Sequence, residues 1–190
     1  MANYKAKLFV FSAPSGSGKT TIVRDVLKNF PEFEFSISAT TRKKRSNERN
    51  EIDYYFIDEE EFRRKIEAEE FVEWEKFYDY YYGTLKCVVD GNLAKNISTV
   101  FEVDVKGALR IKKAYSNSVL IFISPPGIEV LKERLINRNT ETDEDLKKRI
   151  ERAEMELSFK DKFDYVVTNI NLDDAKEEVK RIIEREITKE

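Results

Sequence analysis

Residues 13–20, APSGSGKT, have the composition of a loop that binds a polyphosphate. Gly16 and Gly18 allow the backbone to turn so that successive N–H groups point inward, and with the N-terminus of a following helix these groups form an anion site. Lys19 can bridge the outer phosphates, and the Thr20 hydroxyl can ligate Mg²⁺. The pattern predicts that a nucleoside triphosphate with Mg²⁺ binds at Ala13, Pro14, Ser15, Gly16, Ser17, Gly18, Lys19, Thr20 and Thr21. Ala13 stands where such a phosphate-binding loop (P-loop) generally has its first glycine.

A cluster of basic residues forms a second candidate site, in SATTRKKRSNERNEIDYYF, residues 38–56. Five cations fall within eight positions: Arg42, Lys43, Lys44, Arg45 and Arg49. The whole chain has a net charge of −3, so the positive charge is local, which disfavours a nucleic-acid-binding protein. Guanidinium groups match phosphate oxygens in bidentate geometry, and Lys cannot. We interpret the cluster as a site for one small phosphate; an exposed, solvated charge run is the alternative.

A pair of acids ends another predicted strand, in FEVD, residues 101–104. Glu102 and Asp104 are two residues apart, so their side chains share one face of the strand. Ligands of parallel sheets bind at the carboxyl ends of the strands, which favours a place for both acids in the same site. A solvent-facing pair at the end of a strand is the alternative.

Two residue counts exclude several classes of chemistry. The chain of 190 residues has no histidine, which excludes Ser-His-Asp and Cys-His nucleophile systems and histidine metal sites. Its single cysteine, Cys87, allows no intrachain disulfide, which is typical of a reducing compartment. No apolar run approaches the roughly 20 residues of a membrane span, and we expect a cytoplasmic protein. Phosphoryl transfer fits the remaining inventory, because it depends on positioning and charge neutralisation.

Apolar segments that alternate with amphipathic ones predict an α/β fold with a mostly parallel sheet flanked by helices. Strands are predicted at 7–11, 98–104, 118–124 and 164–169, with short strands within 33–57. Helices are predicted at 20–30, 58–71, 85–96, 106–115, 127–138, 142–157 and 173–190. The mixed stretch from about residue 36 to residue 90 is interpreted as an insertion within one domain.

No Asn-Lys-x-Asp motif is present, which disfavours a small GTPase and leaves a kinase with a second phosphate site.

Six motifs in register resemble the guanylate kinase family. They are the P-loop, SATTR, RNEIDYYF, FVEWEKF, YYGT and FEVDVKGA, and the resemblance covers about residues 7–183. It implies transfer of the ATP γ-phosphate to GMP or dGMP and the P-loop nucleoside monophosphate (NMP) kinase fold. It also implies a core (1–35, 97–137 and 158–190), a mixed α+β GMP-binding insertion (36–96) and a small helical lid (138–157).

The resemblance further implies the residues that bind GMP. Arg42 and Arg45 would hold the GMP phosphate with the phenol groups of Tyr54 and Tyr82. Glu73 would accept hydrogen bonds from both guanine donors, N1–H and the 2-amino group, a pair that adenine lacks. The hydroxyls of Ser38 and Thr84 would reach guanine O6 and N7. Glu102 and Asp104 would lie between the nucleotides, with Asp104 at the Mg²⁺, directly or through water.

On the ATP side, the resemblance implies that arginines of the lid close over the phosphates and stabilise the transferring group. The arginines are Arg134, Arg138 and Arg149, which we count with Lys19 and Arg42 as catalytic. Asn169 would lie near the adenine. Pairing of Arg149 with Asp145 is a plain structural alternative, and so is a turn at Asn169.

Several positions depart from the family pattern. Where the family usually has Pro and Gly in the basic loop, this chain has Lys44, Asn47 and Glu51. It also has Glu102 in place of the usual Asp, Lys106 in place of Gln, and Asn139 in place of Gly. Asn tolerates a positive φ, whereas Glu51 adopts one only at a cost.

We expect a kinase of the small-molecule substrates ATP and GMP, with Mg²⁺ and no obligate protein partner. A catalytically inactive phosphopeptide-binding module of the same fold, a nucleic-acid-binding ATPase, and a kinase of AMP, UMP or dTMP are the alternatives. The intact GSGKT sequence disfavours the inactive module, because such modules typically lose the P-loop.

Overall fold

The computed structural model describes residues 5–46, 48–77, 79–136 and 143–189. Its main sheet has five strands in the order β2-β7-β1-β8-β9, and every neighbouring pair is parallel. The strands are β1 (Leu8–Ser12), β2 (Glu34–Phe35), β7 (Thr99–Glu102), β8 (Val119–Ser124) and β9 (Tyr165–Thr168). The predicted parallel α/β sheet is therefore confirmed.

Helices cover both faces of this sheet, which explains why its strands are continuous apolar runs. Helix α1 (Lys19–Asn29) and helix α7 (Leu172–Ile187) pack on one face, around Phe9, Phe11 and Ile121. Helix α4 (Val105–Ala114) packs on the opposite face with Val89 of helix α3 (Lys86–Ala94). Since α1 and α4 each follow a strand of the sheet directly, their N-termini lie at its carboxyl edge, where the P-loop and Asp104 are.

Most of the stretch between β2 and α3 forms a second, smaller sheet in the order β4-β3-β6-β5. Its strands are β3 (Ala39–Thr40), β4 (Tyr55–Phe56), β5 (Phe71–Phe77) and β6 (Tyr80–Leu85), and helix α2 (Glu59–Glu67) covers it. This sheet has its own apolar cluster, in which Phe62 of α2 stacks on Phe71 with ring centroids 4.4 Å apart. The stretch thus has a core of its own within the predicted insertion.

The antiparallel pair β5–β6 is an element that the sequence did not predict. Strand β5 has a bulge between Phe71 and Glu73, which interrupts the alternation of its side chains. Phe71 packs on Phe62, whereas Glu73 and Glu75 line a cavity. Glu73 is only 7% exposed. The bulge and the buried acid together hid the alternation by which half-buried strands are recognised.

Two further helices, α5 (Ile128–Ile136) and α6 (Asp143–Leu157), lie between β8 and β9 in the chain and form a pair. They meet through a small apolar cluster centred on Leu131 and Ala153. The predicted lid residues Arg138 and Asn139, and Asn47 of the basic loop, lie outside the described residues. Across the described ranges, none of the helices combines the length and the apolarity that crossing a membrane requires.

Candidate active site

The P-loop connects β1 to α1 and has the backbone that its glycines predict. Gly16 and Gly18 have φ of 91° and 89°. The side-chain amide of Asn169 donates to the Ser17 carbonyl at 2.8 Å, which fixes the loop from the end of β9. A Cβ atom on Gly18 would lie 2.5 Å from that Asn169 amide nitrogen, so this position requires glycine for both its φ and its close contact.

The Lys19 ammonium and the Thr20 hydroxyl both reach the end of β7. Lys19 Nζ donates to the Val103 carbonyl at 3.0 Å, and Thr20 Oγ1 donates to Glu102 Oε1 at 2.6 Å. Burial lowers the pKa of Lys19, while the carboxylates of Glu102, Glu156 and Asp104 raise it in part. The predicted juxtaposition of the P-loop with the acids of FEVD is therefore present.

Two cavities open on opposite sides of this contact. The first, of about 460 Å³, lies between the main sheet and the smaller sheet. The second, of about 400 Å³, is lined by the whole P-loop from Ala13 to Thr21. Both cavities are lined by the same five residues, Lys19, Thr20, Glu102, Asp104 and Arg152. The two spaces are therefore adjacent, with a lysine, an arginine and two acids at their junction.

Glu73 is the buried acid of the first cavity. Its Oε1 accepts a hydrogen bond from the Thr84 hydroxyl at 2.6 Å, and its Oε2 lies at the N-terminal turn of α4, where a Cβ on Gly107 would be 2.9 Å away. Burial raises the pKa of Glu73 to about 7, and the Thr84 hydrogen bond opposes that shift. The site thus holds a desolvated carboxyl group with unused acceptor capacity toward the cavity.

The basic loop is ordered by a residue that the sequence did not single out, Glu48. Arg42 donates to Glu48 from both terminal nitrogens, at 3.0 and 2.8 Å, and the backbone N–H of Arg45 donates to Glu48 Oε2 at 2.8 Å. These bonds lower the pKa of Glu48 to about 2, with the Arg42 bond as the largest cause. The Arg42 guanidinium lies 5.4 Å from the ring centroid of Tyr54. Arg42 is therefore positioned beside the phenol groups of the predicted phosphate site.

The structure brings most of the predicted GMP residues to the first cavity, which is lined by Ser38, Tyr54, Glu73, Tyr82, Glu102 and Asp104. Thr84 lies behind Glu73 and contacts that carboxyl. Arg42 and Arg45 are not among the lining residues; Arg42 is instead engaged with Glu48. Their predicted contact with the GMP phosphate stays a prediction.

Among the predicted ATP-side residues outside the P-loop, Arg149 lines the second cavity. Asn169 is buried beneath the P-loop and is not part of the lining, and Arg134 donates to the Asn169 carbonyl at 3.4 Å. The predicted adenine contact of Asn169 therefore stays a prediction, as does the role of Arg138, which lies outside the described residues.

The lining also includes residues that the sequence did not predict, and one of these, Arg152, contacts two others, Glu75 and Glu156. Arg152 Nε donates to Glu156 Oε1 at 2.9 Å, and its terminal nitrogen lies 3.5 Å from both Glu75 and Asp104. Burial raises the pKa of Glu75 to about 7, reinforced by its contact with Asp104. The one sequence signal for them is the four-residue spacing of Arg152 and Glu156 on a helix, which is common on ordinary helix surfaces.

A P-loop that shares its junction with a second, nucleotide-sized cavity on a parallel sheet defines a P-loop nucleoside monophosphate kinase. The family model described as guanylate kinase matches residues 5–186 of the chain. The chain therefore belongs to the guanylate kinase family. Its reaction is the ATP-dependent phosphorylation of GMP.

Individual relatives agree with the family match over nearly the whole chain. The guanylate kinase of Thermotoga maritima is 45% identical over 185 residues, which are 97% of this chain and 89% of that protein. The guanylate kinase of Chlorobium chlorochromatii is 48% identical over 178 residues, covering 93% of this chain and 94% of that protein. The crystal structure of guanylate kinase from Anaplasma phagocytophilum superposes with a TM-score of 0.76 at 27% identity, covering 98% of this chain and 89% of that one.

Proposed function

We propose that the first cavity holds GMP, that the second holds ATP with Mg²⁺, and that the γ-phosphate passes between them at the shared junction. The observation that carries the proposal is the common lining of the two cavities by Lys19, Thr20, Glu102, Asp104 and Arg152. Phosphates that enter from the two sides meet there in line, which is the arrangement that direct phosphoryl transfer requires.

Recognition of guanine is assigned to Glu73. Its ionised carboxylate accepts from the N1–H and the 2-amino group together, while Thr84 holds one carboxylate oxygen at 2.6 Å. Adenine would leave the buried carboxylate without these two donors, and such a loss can lower kcat/KM for AMP relative to GMP by roughly 10⁴-fold. Ser38 lines the same cavity and supplies a hydroxyl to the purine edge.

The phosphate of GMP is assigned to Arg42, Arg45, Tyr54 and Tyr82. Tyr54 and Tyr82 already line the cavity, with ring centroids 6.2 Å apart. Arg42 packs beside Tyr54 and reaches the phosphate by exchanging its Glu48 partner for phosphate oxygens, which bind guanidinium groups in the same bidentate geometry.

The triphosphate is assigned to the P-loop, with Lys19 on its outer phosphates. Arg149 lines this cavity, and with Arg134 and Arg138 it would surround the transferring group. No general base is needed, because the phosphate oxygen of GMP is already a nucleophile; alignment and charge neutralisation lower the barrier. Closing of the insertion (36–96) and the lid (138–157) over the core would exclude water, which would otherwise hydrolyse ATP.

The oxygen-rich junction fits Mg²⁺. Mg²⁺ keeps several waters and takes one or two protein oxygens together with substrate phosphates, so it needs no cage of protein ligands. The Thr20 hydroxyl, already 2.6 Å from Glu102, is the direct ligand that we assign, and Asp104 would hold a metal-bound water. When bound, Mg²⁺ neutralises phosphate charge during the transfer.

We place the reaction in the cytoplasm, where both nucleotides are available, and we assign no protein or nucleic-acid partner. The net charge of −3 supports this, because it provides no general attraction for a polyanion.

The test is a coupled assay of ADP formation from Mg-ATP with GMP, dGMP, AMP, UMP and dTMP in turn. We expect turnover with GMP and dGMP only. Lys19→Ala and Arg42→Ala should each lower kcat/KM by about 100-fold or more, since each removes a charged donor to the phosphates. Lys28→Ala, at the exposed end of α1, is the matched control and should retain wild-type activity. Equal turnover with AMP, or tight phosphopeptide binding without turnover, would overturn the assignment.

A further inference from the structure

Arg152 lies at the centre of a carboxylate cluster that joins three parts of the fold. It projects from α6 and bonds Glu156 one turn further along the same helix at 2.9 Å. One terminal nitrogen is shared between Glu75 of β5 and Asp104 at the start of α4, at 3.5 Å from each. Its side chain is 29% exposed, and the exposed part faces the cavities. One guanidinium thus contacts acids of the small sheet, the core and the lid helix.

Besides its contact with Glu75, Asp104 has a partner at each of its two carboxylate oxygens. Oδ1 accepts from the backbone N–H of Gly107 at 2.6 Å, which caps α4. Oδ2 is the oxygen that approaches Arg152. The helix cap fixes the position of the carboxyl group, and Arg152 supplies the charge that faces its free oxygen.

Acids outnumber cations around the first cavity, which makes the positive charge of Arg152 important. Among the described residues, its lining contains five acids, Asp53, Glu73, Glu75, Glu102 and Asp104, and two cations, Lys19 and Arg152. Both substrates bring further negative charge to the junction. Lys19 Nζ donates to the Val103 carbonyl, whereas Arg152 is the lining cation that approaches the carboxyl groups of both Glu75 and Asp104, at 3.5 Å from each.

We infer that Arg152 is a positioning residue of the phosphoryl transfer, which holds Asp104 and Glu75 at the junction and thereby ties the GMP-side strand β5 to the ATP-side helix α6. The inference rests on the assignment of the two cavities to GMP and ATP. Lysine cannot replace this arginine fully, because a single ammonium does not present nitrogens to three carboxylates in one plane.

The simple alternative is a helix-surface ion pair. Arg152 and Glu156 are four residues apart on α6, and pairs with this spacing on a helix surface contribute little to stability. That reading predicts a small loss of stability and no change in kinetics. The chain offers a matched pair for comparison, Arg63 and Glu59 on α2, which has the same four-residue spacing and lines neither cavity.

The experiment compares Arg152→Ala, Arg152→Lys and the control Arg63→Ala in steady-state kinetics with each substrate varied, alongside urea unfolding. We expect Arg152→Ala to lower kcat at least tenfold and to raise the KM of both nucleotides severalfold, because both cavities share the residue. Arg152→Lys should recover kcat in part, and Arg63→Ala should match the wild type.

A double variant tests the pairing itself. Arg152→Ala removes the cation that contacts both Glu75 and Asp104, so Glu75→Gln added to Arg152→Ala should recover several-fold of the lost kcat, because the side-chain amide of glutamine can donate to Asp104 in place of the guanidinium. Wild-type kcat and KM in Arg152→Ala, or the absence of recovery in the double variant, would overturn the inference. If the wild type itself fails to phosphorylate GMP, the assignment of the cavities fails, which is a separate result.

Discussion

At the scale of single residues, Glu73 shows how a binding role is set against stability. Glu73 is 7% exposed, and the Thr84 hydroxyl donates to its carboxyl group at 2.6 Å. Desolvation raises its pKa to about 7, so the free protein carries a group whose ionised form is unfavourable until donors arrive. Under the proposed assignment guanine would supply those donors, and the cost of burial would become selectivity for the base.

We predict that Glu73→Gln weakens GMP use and strengthens the fold. The amide cannot accept from both guanine donors, so kcat/KM for GMP should fall about 100-fold or more while the KM of ATP stays within about threefold. The pKa of Glu73 is about 7 in the folded chain and near 4.5 when unfolded, so the folded state binds more protons between these values. Stability is therefore lost as the pH rises through this window, and the loss is complete above it.

The variant should accordingly raise the free energy of unfolding by about 1–3 kcal/mol at pH 8, with a smaller gain at pH 5. Urea unfolding at the two pH values measures this difference. Glu59→Gln, an exposed acid on α2, is the control and should show no such dependence. Unchanged kcat/KM for GMP in Glu73→Gln would remove Glu73 from guanine recognition.

At the scale of elements, the P-loop depends on a contact with the end of β9. Gly18 has a φ of 89°, and a Cβ there would lie 2.5 Å from the Asn169 amide nitrogen that holds the Ser17 carbonyl. The loop and the strand end therefore form one unit, although 152 positions separate the two bonded residues. Changes at this contact should affect ATP binding before they affect the GMP cavity.

Gly18→Ala should lower the free energy of unfolding by about 1–3 kcal/mol and abolish detectable ATP binding, because the methyl group combines a disfavoured φ with a steric overlap. Gly91→Ala in α3 is the opposite case: no atom lies within 4 Å of its Cβ position, and alanine favours a helix by about 0.5–1 kcal/mol. Denaturant unfolding and calorimetric titration with ATP measure both effects. Equal stability of the two variants would contradict the contact.

A second element-scale feature is the turn that follows the basic loop. Glu51 has a φ of 63°, the conformation that the sequence marked as costly for this residue type, and its N–H donates to the Tyr54 carbonyl at 2.9 Å. Asn96 has a similar φ of 56°, with the residue type that tolerates it. The chain therefore accepts local strain three residues before Tyr54, which lines the first cavity.

Glu51→Asn should relieve part of this strain and raise the free energy of unfolding by about 0.5–1 kcal/mol. Glu51→Ala is the comparison, since alanine removes the charge without favouring a positive φ and should give no gain. Thermal unfolding of the three proteins distinguishes conformational from electrostatic causes. A larger gain from alanine than from asparagine would attribute the effect to charge.

At the scale of the whole molecule, two cavities of about 460 and 400 Å³ adjoin each other, because the same residues of the junction line both of them. The smaller sheet has its own apolar cluster, and α5 and α6 meet in another, so the walls of the cavities are separately packed units. Such units can approach each other without disturbing either core. Ligands that bridge the cavities should therefore stabilise the assembly of these units as well as each site.

We predict that an adenosine–guanosine bisubstrate analogue, joined by a polyphosphate, raises the Tm more than ATP and GMP added together at the same concentration. Joining the two nucleotides makes the second binding event intramolecular, with an effective concentration in the millimolar range. Thermal unfolding with each ligand measures the shift, and a diadenosine analogue of equal length is the control. A shift no larger than that of the separate nucleotides would show that the cavities do not connect.

The sequence alone determined the parts of the site that are local along the chain. The P-loop requires a strand, a glycine turn, and a helix in succession, and APSGSGKT with its flanking residues specifies all three. FEVD likewise places Glu102 at the end of β7 and Asp104 at the N-cap of α4, and the parallel topology then brings Glu102 to the Thr20 hydroxyl at 2.6 Å. These predictions succeed because neighbouring residues and backbone geometry decide them.

Only the tertiary structure decided what depends on distant residues. Arg152 and Glu75 are 77 positions apart, and neither has a distinctive sequence context, yet they meet at the junction of the cavities. Strand β5 was not predicted, for a related reason. Glu73 and Glu75 face a cavity, so this face of the strand is buried without being apolar. A charged group is tolerated inside a protein where other elements provide its hydrogen-bond and ion-pair partners. Which partners it has depends on how the whole fold packs and not on any short segment.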